Sequence, residues 1–322
     1  MMRNKIRPTV DCVFKAIFGK KENRNLLINF LNAVLGLEKG KRVSEVTVLN
    51  PYNEKEFESG KLSIVDVKAR DESGRTFQVE VQISIYSWLA NRMLHNWAGI
   101  YHPQLTEGED YDILNPVTSI WILEGALFRP EKPADGKDYL HLTFEARERS
   151  LGFPMNDHFG IHVLQLPYWP PEGRAGDDRE RWIHFFREGE NMDVNNLPAE
   201  MDTEEMRQAF GVLDRFAKNK DEYLLYLSRL DAVRHERTWE NTVRREKERR
   251  EQAEGKALRE KEQREKAEEK ALKAEEKALK AEEKALKAEE KALGEKEQKE
   301  QLQKEKEELI KLLKQAGIED IR

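Results

Sequence analysis

Asp66 and Glu80 are the two acids of this chain most able to act together. They fall in Lys61–Ile83, KLSIVDVKARDESGRTFQVEVQI, where residue types alternate with the period of two of a β-strand. Ile64, Asp66 and Lys68 share one face of the first run, and Val65, Val67 and Ala69 the other. In the second run Gln78, Glu80 and Gln82 lie opposite Phe77, Val79, Val81 and Ile83. Glu72-Ser73-Gly74 suits a three-residue hairpin loop with Gly74 in the left-handed position. If Asp71 pairs with Arg75 across that loop, Asp66 falls directly opposite Glu80, with Cβ atoms about 4.5–5.5 Å apart. Two carboxylates so placed repel unless a cation lies between them or one keeps its proton. A divalent cation is the simplest resolution, and hard oxygen ligands suit Mg²⁺ or Mn²⁺.

Gln82 shares the face of Glu80 and can position a water molecule, but it carries no charge. Lys68, on the face of Asp66, is a candidate for supplying that charge. Asp11 is a candidate third acid. The competing reading is a solvated face at a sheet edge, with Asp66, Lys68, Gln78, Glu80 and Gln82 simply hydrated.

The elements that must position these groups follow from periodicity. Asp11 to Leu37 has helical spacing, split near Gly19 and closed at Gly36. Val43–Leu49 reads as a strand. Tyr86–Tyr101 reads as a helix with Trp88, Leu89, Met93, Trp97 and Ile100 as its apolar set. Pro116–Glu124 is an apolar run suited to a buried strand. Tyr139–Phe144 and Phe159–Leu166 suit two more strands, followed by helices near 179–188 and across 202–237. This order predicts an α/β fold with a mixed sheet flanked by helices.

The formal net charge of −6 gives no bulk electrostatic case for nucleic-acid binding, so any such contact needs a local patch. A lone cysteine, Cys12, excludes an internal disulfide, fits a reducing compartment and reads as a small buried residue. There is no signal-like apolar run at the start and no membrane-spanning run, so a cytoplasmic protein is expected. P-loop, GxGxxG and nucleophile-elbow patterns are absent. His158 and His162 are four apart, but Gly160 and a strand-like context argue against a helical zinc pair. Trp169, between Tyr168 and Pro170-Pro171, reads as loop packing.

Two regions of unlike composition divide the chain: 1–235, which holds nearly all the aromatic residues, and a charged tail, 236–322. AEEKALK occurs three times in succession from Ala267 to Lys287, and AEEKALG follows. Glu and Lys alternate at spacings of three and four, which supports a helix. One Leu and two Ala per heptad form a broad, thin apolar stripe, compatible with a single charged helix or a weak coiled coil. Leu309–Ile321 forms a short apolar cluster suited to docking or capping an oligomer.

Several blocks agree, in order, with one family. Asp11-Cys-Val-Phe-Lys15-Ala-Ile-Phe-Gly19, then Asp66, then Glu80-Val-Gln82, then Arg92, Trp97, Tyr101, Gln104-Leu105, Gly108, Tyr111 and Pro116-Val117 resemble the Rpn family of recombination-promoting nucleases and putative transposases, within the PD-(D/E)XK superfamily. The resemblance covers about residues 5–230 and has Gln, not Lys, at the position of Gln82. It implies a restriction-endonuclease-like core and a Mg²⁺-dependent DNA endonuclease, with Mn²⁺ or Ca²⁺ as substitutes. Asp66 and Glu80 would hold the metal, Gln82 would orient the attacking water, and Asp11 would be a third acid or stand behind the ligands. Lys15 and Arg92 become candidates for phosphate contact, and Tyr101 for a supporting hydrogen bond. Because duplex cleavage often needs two active sites, a dimer or tetramer is expected. The alternative is a catalytically weak DNA-binding or interaction protein whose tail mediates oligomerisation.

Overall fold

The computed structural model describes residues 4–49, 66–130, 138–171 and 173–315. The start of the hairpin, Lys61–Val65, and the end of the apolar cluster, 316–321, lie outside these residues. Two compact units are distinguished, Met1–Glu240 and Asn241–Arg322.

In the first unit the predicted helical stretch is two helices. α1 (Asp11–Phe18) ends at Gly19, and α2 (Arg24–Leu35) closes on Gly36 at φ 60°, where a side chain would be strained. Among the described residues six strands follow: β1 (Val46–Val48), β2 (Asp66–Asp71), β3 (Thr76–Gln82), β4 (Val117–Leu123), β5 (His141–Glu145) and β6 (Phe159–Gln165). The sheet order is β1-β2-β3-β4-β6-β5. β3, β4 and β6 run parallel, and the outer pairs are antiparallel, so the sheet is mixed. Between β3 and β4 lies α3 (Leu89–Tyr101). α4 (Asp178–Glu188), α5 (Glu204–Lys218) and α6 (Lys220–Gln315) come after β6. The fold is the α/β arrangement expected, a mixed sheet between helices with a long helix at the end.

β4 shows why the sheet is covered on both sides. Ile120 and Ile122 enter one core with Val67, Val79, α1 and α2, while Trp121 and Leu123 enter another with Leu89 and Met93 of α3. Every one of those β4 side chains is fully buried. A strand sandwiched in this way reads as a continuous apolar run. The larger core centres on Phe14, Phe18, Phe30, Trp182 and Phe186, whose rings lie 5.0–6.1 Å apart. Burying each such ring contributes about 1.5–3 kcal/mol.

The β2–β3 hairpin is fixed by its loop. Asp71 accepts hydrogen bonds from Ser73 N (3.0 Å), Ser73 Oγ (2.8 Å), Arg75 N (2.9 Å) and Arg75 Nε (2.6 Å). Gly74 takes φ 89°, and a Cβ there would sit 2.5 Å from Asn115 Oδ1. The resulting register pairs Asp66 with Glu80, Lys68 with Gln78 and Arg70 with Thr76.

In the second unit the described part of α6 is almost wholly solvent-exposed. Lys273, Lys280 and Lys287 reach back to Glu269, Glu276 and Glu283 at 2.5–2.6 Å. The heptad leucines Leu272, Leu279, Leu286 and Leu293 are 57–71% exposed. Among the described residues no helix is long and apolar enough to cross a membrane.

Candidate active site

Glu80 lies near the middle of β3, between β2 and β4, and is 2% exposed. The solvated-edge reading therefore fails for it and for Gln78, which is 1% exposed. β3 is internal to the sheet, and the face carrying these residues is roofed by α3. Among the described residues the edges are instead β1 and β5.

α3 supplies the partners of Glu80. Asn96 Nδ2 donates to Glu80 Oε1 at 2.8 Å. Arg92 places NH2 3.4 Å from Glu80 Oε2 and donates from NH1 to Gln82 Oε1 at 3.1 Å. Arg92 and Asn96 are four residues apart, so a helix presents both on one side. The guanidinium lies 5.6 Å from the centre of the Trp121 ring, a cation–π arrangement that adds to its positioning.

Beneath Glu80 runs a chain of polar groups. Gln78 Nε2 donates to Glu80 Oε1. Ser119 Oγ donates to Gln78 Oε1 at 3.3 Å and accepts from Trp121 Nε1 at 2.9 Å. A carboxylate this deeply buried needs such donors, because an unpaired charge there would be destabilising by several kcal/mol. The sequence pattern does not single out Asn96 or Ser119, and it offers Gln78 only as a hydrated neighbour. The helical spacing from Arg92 is the available signal for Asn96. Ser119 becomes visible only once β4 is known to lie beside β3 in parallel register.

Gln82 donates from Nε2 to Ser84 O at 2.9 Å while accepting from Arg92. Its amide retains one N–H and one lone pair for a further partner. Lys68 is half-buried and pairs with Gln78, one position along the face from Asp66. Arg92, expected to reach outward to phosphate, is ion-paired inside the site, with its side chain 25% exposed.

Asp11 and Lys15 belong to a different layer. α1 packs on the Val67 and Val79 face of the sheet, opposite the face of Glu80. Asp11 accepts from Cys12 N at 2.7 Å and lies 3.5 Å from Arg229 Nε of α6. Burial raises its carboxyl pKa, and Arg229 and Lys15 oppose that rise. Lys15 is 4% exposed and acts there as an internal cation, not a surface one. Cys12 is fully buried, and burial holds its thiol protonated. The Tyr101 hydroxyl meets His158 Nδ1 at 2.9 Å, and its ring stacks on Trp97 at 4.9 Å. It therefore sits at the end of α3 away from Arg92, packing the helix down. His162 hydrogen-bonds His141 Nε2 at 3.0 Å, not His158.

A divalent ion fits the donor set. Glu80 presents hard carboxylate oxygen atoms, and the register brings the Asp66 position alongside it. Among the described residues no three His, Cys, Asp or Glu cluster as a ready-made metal cage. Two acids leave the rest of a coordination shell to water and substrate.

A mixed sheet between helices, with an acid pair across an inner hairpin and a glutamine two residues beyond, defines a PD-(D/E)XK-type nuclease fold. The family model for PD-(D/E)XK nuclease family transposases matches residues 8–243. The chain belongs to this family. No curated relative and no solved structure matches it.

Proposed function

We propose that the chain is a metal-dependent DNA endonuclease, with residues 1–235 as the nuclease domain and 236–322 as a helical tail that promotes self-association. The single observation that carries this reading is the buried Glu80. It lies opposite Asp66 in register, is held by Arg92 and Asn96, and belongs to a chain of a nuclease family.

In this reading Asp66 and Glu80 hold Mg²⁺, with Mn²⁺ as a substitute. The chemistry such an ion supplies when bound is polarisation of the scissile phosphate and a lowered pKa for water. Asn96 and Gln78 fix the Glu80 carboxylate, so its orientation is set before substrate arrives. Gln82 orients the attacking water with its remaining N–H and lone pair. Arg92 fixes the Gln82 amide and supplies the positive charge that lysine brings in many metal nucleases. Its partly exposed guanidinium has donors left for a phosphate oxygen. Lys68 is the second source of charge on this face.

The biological role that fits is strand cleavage during recombination or against foreign DNA. The test is conversion of supercoiled plasmid to nicked and linear forms with Mg²⁺ or Mn²⁺, compared with EDTA. Metal-dependent nicking supports the reading. No nicking with any metal or substrate would favour a DNA-binding protein with a nuclease fold.

A further inference from the structure

α3 carries a second feature beside the acid pair. By helical periodicity Trp88 belongs to the apolar set of that helix, yet it is 50% exposed. The reason is local. The helix begins at Leu89, so Trp88 is the N-cap residue, outside the first turn. It enters neither hydrophobic core. Its ring is nonetheless braced, because it lies flat on Tyr86 with centroids 4.4 Å apart and planes 5° from parallel. The turn that presents both is closed by Leu89 N donating to Tyr86 O at 3.1 Å.

The position is specific. Trp88, Arg92 and Asn96 are spaced by four, so they form one stripe along α3. Arg92 and Asn96 hold Glu80. Trp88 stands one turn beyond, about 6 Å along the axis, and follows β3 by six residues, where Gln82 ends that strand. A phosphate at Arg92 would have its neighbouring nucleotides within one or two steps of the indole, at about 3.4 Å per step.

We propose that the Tyr86–Trp88 stack is a base platform. On this proposal, which rests on the endonuclease reading, the exposed indole face of Trp88 receives a nucleobase flanking the scissile phosphate. A paired base inside a duplex does not offer its face to a side chain. The preferred substrate is therefore DNA with an unstacked base at the cleavage site, such as a single-stranded stretch, a flap or a gap.

The test uses full-length protein and two oligonucleotides carrying 2-aminopurine at one position. One is a duplex with a single-stranded gap there and the other is fully paired. Binding is titrated with Ca²⁺ in place of Mg²⁺, and cleavage is measured separately with Mg²⁺. Wild-type protein should change the 2-aminopurine fluorescence of the gapped DNA. Trp88→Ala should bind that DNA roughly five- to hundredfold more weakly while binding the paired duplex as before. Trp88→Phe should recover most of the loss. No fluorescence response with wild-type protein, equal losses on both DNAs, no rescue by Phe, or an altered oligomeric state in Trp88→Ala without a fluorescence difference would each overturn the platform. Nicking by wild-type protein with a response indifferent to Trp88 sinks the platform alone. A Trp88-dependent response without nicking sinks the endonuclease reading alone.

Discussion

Arg92 reaches from α3 to Glu80 on β3, with its NH2 3.4 Å from Oε2, and uses its NH1 to hold Gln82 Oε1 at 3.1 Å. One guanidinium thus joins the buried acid to the glutamine that stands where lysine is common in metal nucleases. A planar fork can serve two acceptors at once in a way a lysine ammonium cannot match. Arg92→Ala should therefore lower cleavage by about 10²-fold, and Arg92→Lys should recover only part. Single-turnover nicking by both variants measures this. Full activity in Arg92→Ala would shift the cationic role to Lys68.

Asn96 and Gln78 orient Glu80 without adding charge. Asn96→Ala should cost about 1–3 kcal/mol of stability, because a buried carboxylate loses a donor. Asn96→Asp should cost more, since it sets a second acid against Glu80. Urea unfolding of the two variants, ranked against wild type, tests the order.

The hairpin loop sets which residues face each other. Gly74→Ala places a Cβ 2.5 Å from Asn115 Oδ1 at φ 89°. It should destabilise the fold by about 1–3 kcal/mol. Asp71→Ala removes the hydrogen bonds to Ser73 and Arg75 and should do at least as much. Both should reduce nicking beyond their effect on folding, because a loosened register moves Asp66 relative to Glu80.

This loop is also where sequence reasoning reaches furthest. Turn chemistry at Glu72-Ser73-Gly74 is local, so the Asp66–Glu80 pairing is legible in the residues themselves. The burial of Glu80 is not. It depends on α3 folding over the sheet and on Ser119 arriving beside Gln78 from 41 residues away. Trp88 departs from its expected place for a different reason: the helix read from Tyr86 begins at Leu89, which leaves Trp88 at the N-cap, half-exposed and outside both cores. Asp11 and Lys15 match the family opening, but a motif cannot say which face of a sheet its helix covers.

His141 and His162 predict a pH dependence. They hydrogen-bond each other at 3.0 Å. Burial lowers both pKa values to about 4, aided at His141 by Arg179 and at His162 by His141. In the unfolded chain both titrate near 6.5. Between these values the unfolded state binds more protons, so stability is full above about pH 6.5 and falls as pH drops toward 4. Tm measured from pH 7.5 to 4.5 should fall, and His141→Gln/His162→Gln should flatten the slope. An unchanged slope would mean that other groups cause it.

The tail helix relies on exposed pairs such as Glu269–Lys273, with Glu on the N-terminal side. Each contributes about 0.3–0.5 kcal/mol and is screened by salt. A peptide spanning Ala267–Gly294 should be helical by circular dichroism at low salt and lose helicity in 1 M NaCl, where the Debye length is about 3 Å. Salt-independent helicity that rises with concentration would show that the repeats themselves, through the leucine stripe, are the self-associating part of the tail.

The most direct measurement compares metal-dependent plasmid nicking by wild type, Asp66→Ala and Glu80→Ala, with circular dichroism to confirm that each variant is folded. Wild type should nick with Mg²⁺ or Mn²⁺, and both folded variants should be inactive. Cleavage that survives both substitutions would contradict the assignment of Asp66 and Glu80 as the metal-holding pair.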